Sequence, residues 1–430
     1  MRKRKGVIIL IILILVLVSC VVLQNKETMV NAIRKTFFKA TTVATGTTGT
    51  CNWTLDSDGL LLIEPTNGVS GTMGESAISD AYKSQVKSIK FNATVYAPGN
   101  SSELFSEFNQ LNSFYGRNLN TQNVVNMTRM FYNCQALTEL DVSNFNTENV
   151  RLVIAMFEGC EALTELDLSN FYTPNVDNMQ DMFRECRSLV ELDISNFDTQ
   201  NVFFLNCMFM NCESLVELDL SSFNSMPNMY GMGAVFEGCK SLKKIDVSSF
   251  NTQSVSYMDY MFAGCESLTE LDISNFDTQN VTSMTNMLLN CPKLKSLTLG
   301  SDFSFIHKTN ELSTYSTPWV KQGTTTPRYT SSELMNAYNG STMAGTYVRI
   351  NIIRISINKN DESWNTNNIK VALYQDGTEV YSYSQGEISQ GNGTITWYDV
   401  APGTYDIYAS KNTNEINTLV DTGKDIVAPE

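Results

Sequence analysis

Seven cysteines, Cys134, Cys160, Cys186, Cys212, Cys239, Cys265 and Cys291, recur every 26 residues, with one interval of 27 between Cys212 and Cys239. A repeat of roughly 20 to 50 residues is the signature of a stacked array, in which each copy buries its apolar face only against its neighbours. Each copy opens on the same spacing. Leu137, Leu140 and Val142 are followed by Leu163, Leu166 and Leu168, then Leu189, Leu192 and Ile194, and so on to Leu294, Leu297 and Leu299. The last two of each trio lie two apart, which is strand alternation with one side turned inward.

The second half of each copy changes period. Val176, Met179, Met182, Phe183 and Cys186 fall on one face of a helix of about three turns. The residue before the first of these is Asn123, Asn149, Asn175, Asn201, Asn228, Ser254 or Asn280, types that cap helix starts. Between strand and helix lies a turn whose phenylalanines (Phe145, Phe171, Phe197, Phe223, Phe250 and Phe276) should plug the core. The expected fold is an α/β solenoid, a leucine-rich-repeat array of 26-residue strand–helix repeats with rungs ~4.8 Å apart. A small all-β sandwich domain comes after it.

The longer interval is absorbed in the turn around Pro227, which leaves strand and helix in register. A degenerate copy with Leu104, Phe105, Phe108, Leu111, Phe114 and Leu119 precedes the seven, as a capping repeat would.

The rest of the chain divides around the array. Residues 1–24 are a basic start followed by Gly6–Leu23, an apolar run without charge. Three fates fit that segment: an uncleaved membrane anchor, lipidation at Cys20 within Leu17-Val-Ser-Cys20, or cleavage after Val30-Asn-Ala32. All three export the remainder of the chain. Residues 25–47 read as a linker, 48–110 as an N-terminal cap with a hairpin at Asp58-Gly59, and 111–303 as the array. Residues 304–346 read as an irregular flank packed on the array's C-terminal end or a short linker, and 347–430 as the β-sandwich with a hairpin at Asp376-Gly377.

The strand alternation fixes what faces outward. Beside each inward leucine stand Glu139/Asp141, Glu165/Asp167, Glu191/Asp193, Glu217/Asp219 and Glu270/Asp272, with Asp246 beside Lys244 and Lys243. Eleven carboxylates in two columns make a concave electronegative face. It suits a cationic partner or loosely held calcium, or it is a solvated surface whose aspartates bond neighbouring Ser or Asn groups. Lys240, Lys243 and Lys244 break the uniformity of one repeat and hint at a local site. A net charge of −15 argues against nucleic acid or anionic membrane as partner, so membrane contact is expected only through the N-terminal anchor.

The cysteines lie on the inward face with Met and Phe and read as structural thiols. Zinc lacks ligands, since His307 is the one histidine. No phosphate loop, nucleophile elbow or acid–base pair supports catalysis, and no cofactor is expected.

The string L-T-E-L-D-[LIV]-S-N-F-[DN]-T-x-N-V-x-x-M-x-x-M-F-x-x-C closely resembles the repeat of BspA-like leucine-rich-repeat surface proteins, found also in mycoplasma-type surface lipoproteins. Gly49-Thr-Cys-Asn-Trp-Thr-Leu before the array and Asn339-Gly-Ser-Thr-Met-Ala-Gly-Thr-Tyr after it resemble the same family. Val400-Ala-Pro-Gly-Thr-Tyr-Asp-Ile resembles prealbumin-like or collagen-binding-protein stalk modules. The resemblance implies a bacterial cell-surface protein that adheres to host matrix, host cells or other bacteria. It supplies no catalytic residue.

Overall fold

The structure, a computed structural model, describes residues 40–223, 226–307, 312, 317–356, 370–375, 378–381, 387–389, 394–401, 403–410 and 426–428. The apolar N-terminal run, Cys20 and Val30–Ala32 lie outside them. No helix of the described residues is long and apolar enough to cross a membrane.

The chain opens with β1 (Thr42–Thr48), β2 (Cys51–Asp56) and β3 (Leu60–Pro65), an antiparallel set. The β2–β3 turn is the one expected at Asp58-Gly59. The Asp56 carboxylate accepts from the N–H groups of Asp58 and Leu60, and Gly59 takes a positive φ. β1 falls where composition suggested a linker. Gly46 explains its fit, because the Trp53 indole lies over it and a Cβ there would come within 2.5 Å of the ring. β4 (Ser70–Thr72), β5 (Ser88–Phe91), β6 (Thr94–Tyr96), β7 (Ser113–Tyr115) and β8 (Leu119–Asn120) then stack in parallel. β3 pairs with β5, β5 with β7 and β7 with β9 (Glu139–Asp141), so the cap feeds directly into the array. Phe114 sits opposite Leu140, which places the degenerate copy as a rung of the same solenoid.

Each rung has three sides. The first is the strand side, continued by β10 (Glu165–Asp167), β11 (Glu191–Asp193), β12 (Glu270–Ile273) and β13 (Ser296–Leu299). The second is a column of single parallel bridges running through Asn100, Asn126, Leu152, Asn178, Phe204, Gly231, Tyr257 and Ser283. The third corrects the expectation of a helix: residues 176–186 and their equivalents form successive turns and no helix.

The hydrogen bonds of this third side show why. The N–H groups of Asp181, Phe183 and Glu185 donate to the carbonyls of Asn206, Met208 and Met210 on the next rung. Those of Met182, Arg184 and Cys186 donate three residues back, to Met179, Asp181 and Phe183. A helix would need every N–H four residues back and a width of about 10 Å. The rings of Phe131, Phe157, Phe183, Phe209, Phe236 and Phe262 stack at only 5.5–5.8 Å, so rungs this close leave no room for helices. Offsets of 0, 3, 6, 7 and 10 are met equally by turns that close over three residues. The turns require two left-handed residues per rung, such as Ala155 and Gly159, Asp181 and Glu185, or Ala234 and Gly238.

Polar side chains tie rung to rung. Asn149, Asn175, Asn201 and Asn280, expected as helix caps, donate their amides to the carbonyls of Gln122, Glu148, Pro174 and Gln253 one rung back, at 2.7–3.0 Å. Thr173 donates to the Asp198 carbonyl at 2.9 Å and accepts from the Asp198 N–H at 2.8 Å. Where the interval lengthens to 27, buried Met226 holds the place of Thr199. The core between the three sides is a continuous column of Leu, Met, Phe and Cys side chains.

At the far end β16 (Gly345–Arg349) runs antiparallel to β13, and β14 (Trp319–Lys321) and β15 (Arg328–Tyr329) extend the sheet outward. The flank expected to be irregular thus closes the array, and Tyr347 and Val348 belong to this closure. Arg349 donates to the carbonyls of Pro292 and Leu294, at 3.1 and 3.0 Å, satisfying acceptors that no further rung covers. Beyond it, β17 (Ile352–Ser356), β18 (Lys370–Gln375), β19 (Thr378–Tyr381), β20 (Glu387–Ser389), β21 (Thr394–Tyr398), β22 (Gly403–Ser410) and β23 (Ile426–Ala428) form two antiparallel sheets. Their orders are β17-β21-β20 and β19-β18-β22-β23.

Candidate functional site

The strand side carries a groove of about 1030 Å³. Its walls are Glu139, Asp141, Glu165, Asp167, Glu191, Asp193 and Asp219, its floor includes Leu140, Leu166 and Leu192, and Tyr115 and Arg117 stand at one end. A smaller groove of about 360 Å³ adjoins it, with Val190, Glu217 and Leu218 among its lining. Leu140, Leu192 and Leu218 are half-buried, so apolar surface shows between the acidic columns.

Register forces like charges together. Glu165 lies opposite Glu191 and Asp167 opposite Asp193 in a parallel pair, an arrangement that disfavours the sheet. The aspartates offset it by serving the turn after each strand. Asp167, Asp193, Asp219, Asp246 and Asp272 each accept from the backbone N–H two residues on, at 2.9–3.0 Å. Asp141 accepts from both the N–H and the hydroxyl of Ser143. The Ser169 and Ser248 hydroxyls, with their N–H groups, hold Asp167 and Asp246 below the ordinary carboxylate pKa; for Asp219 the Ser221 N–H leads. The Asp column is thus part of the fold's own turn chemistry.

The Glu column is different. Glu139 accepts from the Tyr115 hydroxyl at 3.2 Å, and Glu270 pairs with Lys244, whose pKa that hydrogen bond and charge raise. The carboxylates of Glu165, Glu191 and Glu217 have neither hydrogen bond nor ion pair among the described residues. Arg117 approaches Asp141 at 3.9 Å. Lys240 pairs with Glu213 at 2.9 Å, so of the three lysines two are already answered by carboxylates.

Of the thirteen residues of the expected face, Glu139, Asp141, Glu165, Asp167, Glu191, Asp193, Glu217 and Asp219 line the two grooves, whereas Lys243, Lys244, Asp246, Glu270 and Asp272 line neither. Glu217, Asp219, Lys243, Lys244 and Asp246 lie in stretches outside the named strands, where the array passes its 27-residue interval. Buried Leu220 and Val247 keep those stretches facing the same way.

The cysteine ladder is a set of free, buried thiols. Each donates to the carbonyl of the Phe one rung back: Cys134 to Phe105, Cys186 to Phe157, Cys265 to Phe236, all at 3.2 Å. Burial raises Cys134, Cys186, Cys239 and Cys291 from 9.0 to about 12. No group of three or more His, Cys, Asp or Glu side chains among the described residues is placed to hold a metal ion.

Sequence reasoning missed a row of rings on the bridge side: Phe203, Phe204, Tyr230 and Tyr257. Its signal was available, because the two positions after Val124, Val150, Val176 and Val281 hold no ring, as at Asp177 and Asn178 or Thr282 and Ser283.

Among solved structures, the chain is similar to a leucine-rich cell surface protein from Faecalibacterium prausnitzii, at 16% identity and a TM-score of 0.21, over 64% of this chain and 95% of that one. It is also similar to a leucine-rich repeat protein from Eubacterium ventriosum, at 14% identity and a TM-score of 0.24, over 64% of this chain and 91% of that one. No curated protein matches it. The family model described as "Mycoplasma protein of unknown function, DUF285" matches residues 100–223 and 205–316, which together span the solenoid and half of the chain. The chain belongs to that family.

Proposed function

We propose that this chain is a bacterial cell-surface leucine-rich-repeat adhesin whose strand-side groove receives a cationic segment of a protein on host matrix, host cells or other bacteria. The observation that carries the reading is the Glu165, Glu191 and Glu217 column, unpaired among the described residues over a floor of half-buried leucines. Carboxylates beside apolar surface give both steering and contact area. The aspartates stiffen the rim without being consumed by a ligand. The N-terminal apolar run fits the role as an anchor, with lipidation at Cys20 as the other way to hold the chain at the membrane.

A second reading is an envelope spacer, favoured by the uniform Cys, Phe and Asn columns, which serve stacking alone. Binding of the full chain, in neutral detergent, to immobilised matrix proteins and to cells separates the two. Saturable binding that weakens with salt supports the adhesin. Loss of binding on chelation moves the groove toward calcium-assisted binding. A folded chain that binds nothing favours the spacer.

A further inference from the structure

The bridge side carries a second surface, independent of the groove. Its column is polar or small at Asn126, Asn178, Gly231 and Ser283, so the fold does not require rings there. Three consecutive rungs nevertheless carry them. Phe203, Tyr230 and Tyr257 are 43%, 44% and 42% exposed, values that leave ring surface open to a partner. Phe204 and Tyr230 meet at 5.9 Å and 80°, Tyr230 and Tyr257 at 5.5 Å and 78°. Phe204 and Tyr257 flank Gly231 in the bridge column. The Asn206 amide fills the space over Gly231, 2.5 Å from where a Cβ would stand, so the surface open to a cation, within the ~6 Å over which a ring face attracts it, is that of the exposed rings themselves.

The charge beside the row is negative. Asp259 accepts from the Ser283 hydroxyl and the Thr285 N–H and has no ion-pair partner among the described residues. Arg151 and Asp177, one end of the same surface, neutralise each other at 3.1 Å. Rings with one uncompensated carboxylate suit a cation better than a neutral sugar. Among cations a planar guanidinium stacks on rings better than an ammonium does.

We infer that Phe204, Tyr230 and Tyr257, with Asp259, form an aromatic docking platform for arginine side chains of a basic protein segment, apart from the strand-side groove.

The test uses the full chain in neutral detergent with labelled hexa-arginine and hexa-lysine peptides. Phe204→Asn with Tyr257→Ser takes residues that the same column holds at Asn178 and Ser283, so the core is untouched. The wild-type chain should bind hexa-arginine roughly threefold or more tighter than hexa-lysine. The double variant should weaken hexa-arginine by roughly five- to tenfold and erase the difference. Glu191→Lys in the groove should weaken both peptides alike and keep their ratio, so failure of the groove and failure of the platform are told apart. A wild-type chain that does not discriminate, or a double variant that keeps the wild-type ratio, overturns the proposal. Binding of chitotriose that the double variant loses overturns it in favour of a sugar platform.

Discussion

The thiol of Cys212 donates to the carbonyl of Phe183, 3.2 Å away on the preceding rung. The same bond joins Cys239 to Phe209 and Cys291 to Phe262. A cysteine recurs here because the site is fully buried, narrow and faces a carbonyl, and a thiol is a small apolar group with a weak donor. Burial raises Cys186 and Cys239 from 9.0 to about 12. Between those values the folded thiols keep protons that the unfolded thiols have lost. Stability is therefore full below pH 9 and falls as pH rises toward 12. Thermal unfolding should drop steeply between pH 9 and 11, and Cys186→Val should flatten the slope. A thiol reagent at pH 8 should leave the ladder unmodified until denaturant is added.

Gly238 distinguishes turns from a helix by the sign of one effect. Its φ is 73°, and a Cβ would come within 2.1 Å of the Asn211 amide oxygen. Gly238→Ala should cost about 1–2 kcal/mol in chemical denaturation. In a helix the same change would stabilise by about 1 kcal/mol.

Asp219 separates turn chemistry from charge. Its carboxylate accepts from the Ser221 N–H at 2.9 Å. Asp219→Asn keeps an acceptor and should leave stability nearly unchanged, whereas Asp219→Ala should cost roughly 0.5–1 kcal/mol. The bonds from Ser221 lower its pKa from 3.8. The stability it supplies is present above that value and lost as pH falls through the folded pKa, and Asp219→Asn should remove this part of the acid dependence.

Arg349 closes the array by capping Pro292 and Leu294 and by donating to Thr317 at 2.9 Å. Arg349→Ala leaves those carbonyls uncovered and should cost about 2–3 kcal/mol. Amide exchange should rise first at Ser296–Leu299 and stay slow around Leu166.

What the sequence made legible is what a period of two or a fixed repeat dictates. The inward leucines, the Phe145 and Phe171 column, the buried thiols and the outward acids all derive from spacing and alternation. The third side was not legible from apolar spacing, since Val176, Met179, Met182, Phe183 and Cys186 satisfy a helix and a string of turns alike. The deciding residues stand just before the Cys: Asn133, Gly159, Asn211, Gly238, Gly264 and Asn290 adopt positive φ, which Asn and Gly tolerate, and Glu185 before Cys186 is the exception in residue type. The role of Asp as turn acceptor and of Glu as the free column also needed coordinates, because alternation places both on one face without saying which is spent.

The most direct measurement of the central claim is binding of the full chain carrying Glu165→Lys, Glu191→Lys and Glu217→Lys to whichever matrix or cell-surface protein the wild type captures. The replaced carboxylates have no partner among the described residues, so the variant should unfold at the wild-type temperature. Binding reduced tenfold or more, with its salt dependence gone, is the predicted result. Wild-type affinity with wild-type salt dependence would contradict the groove as the binding surface.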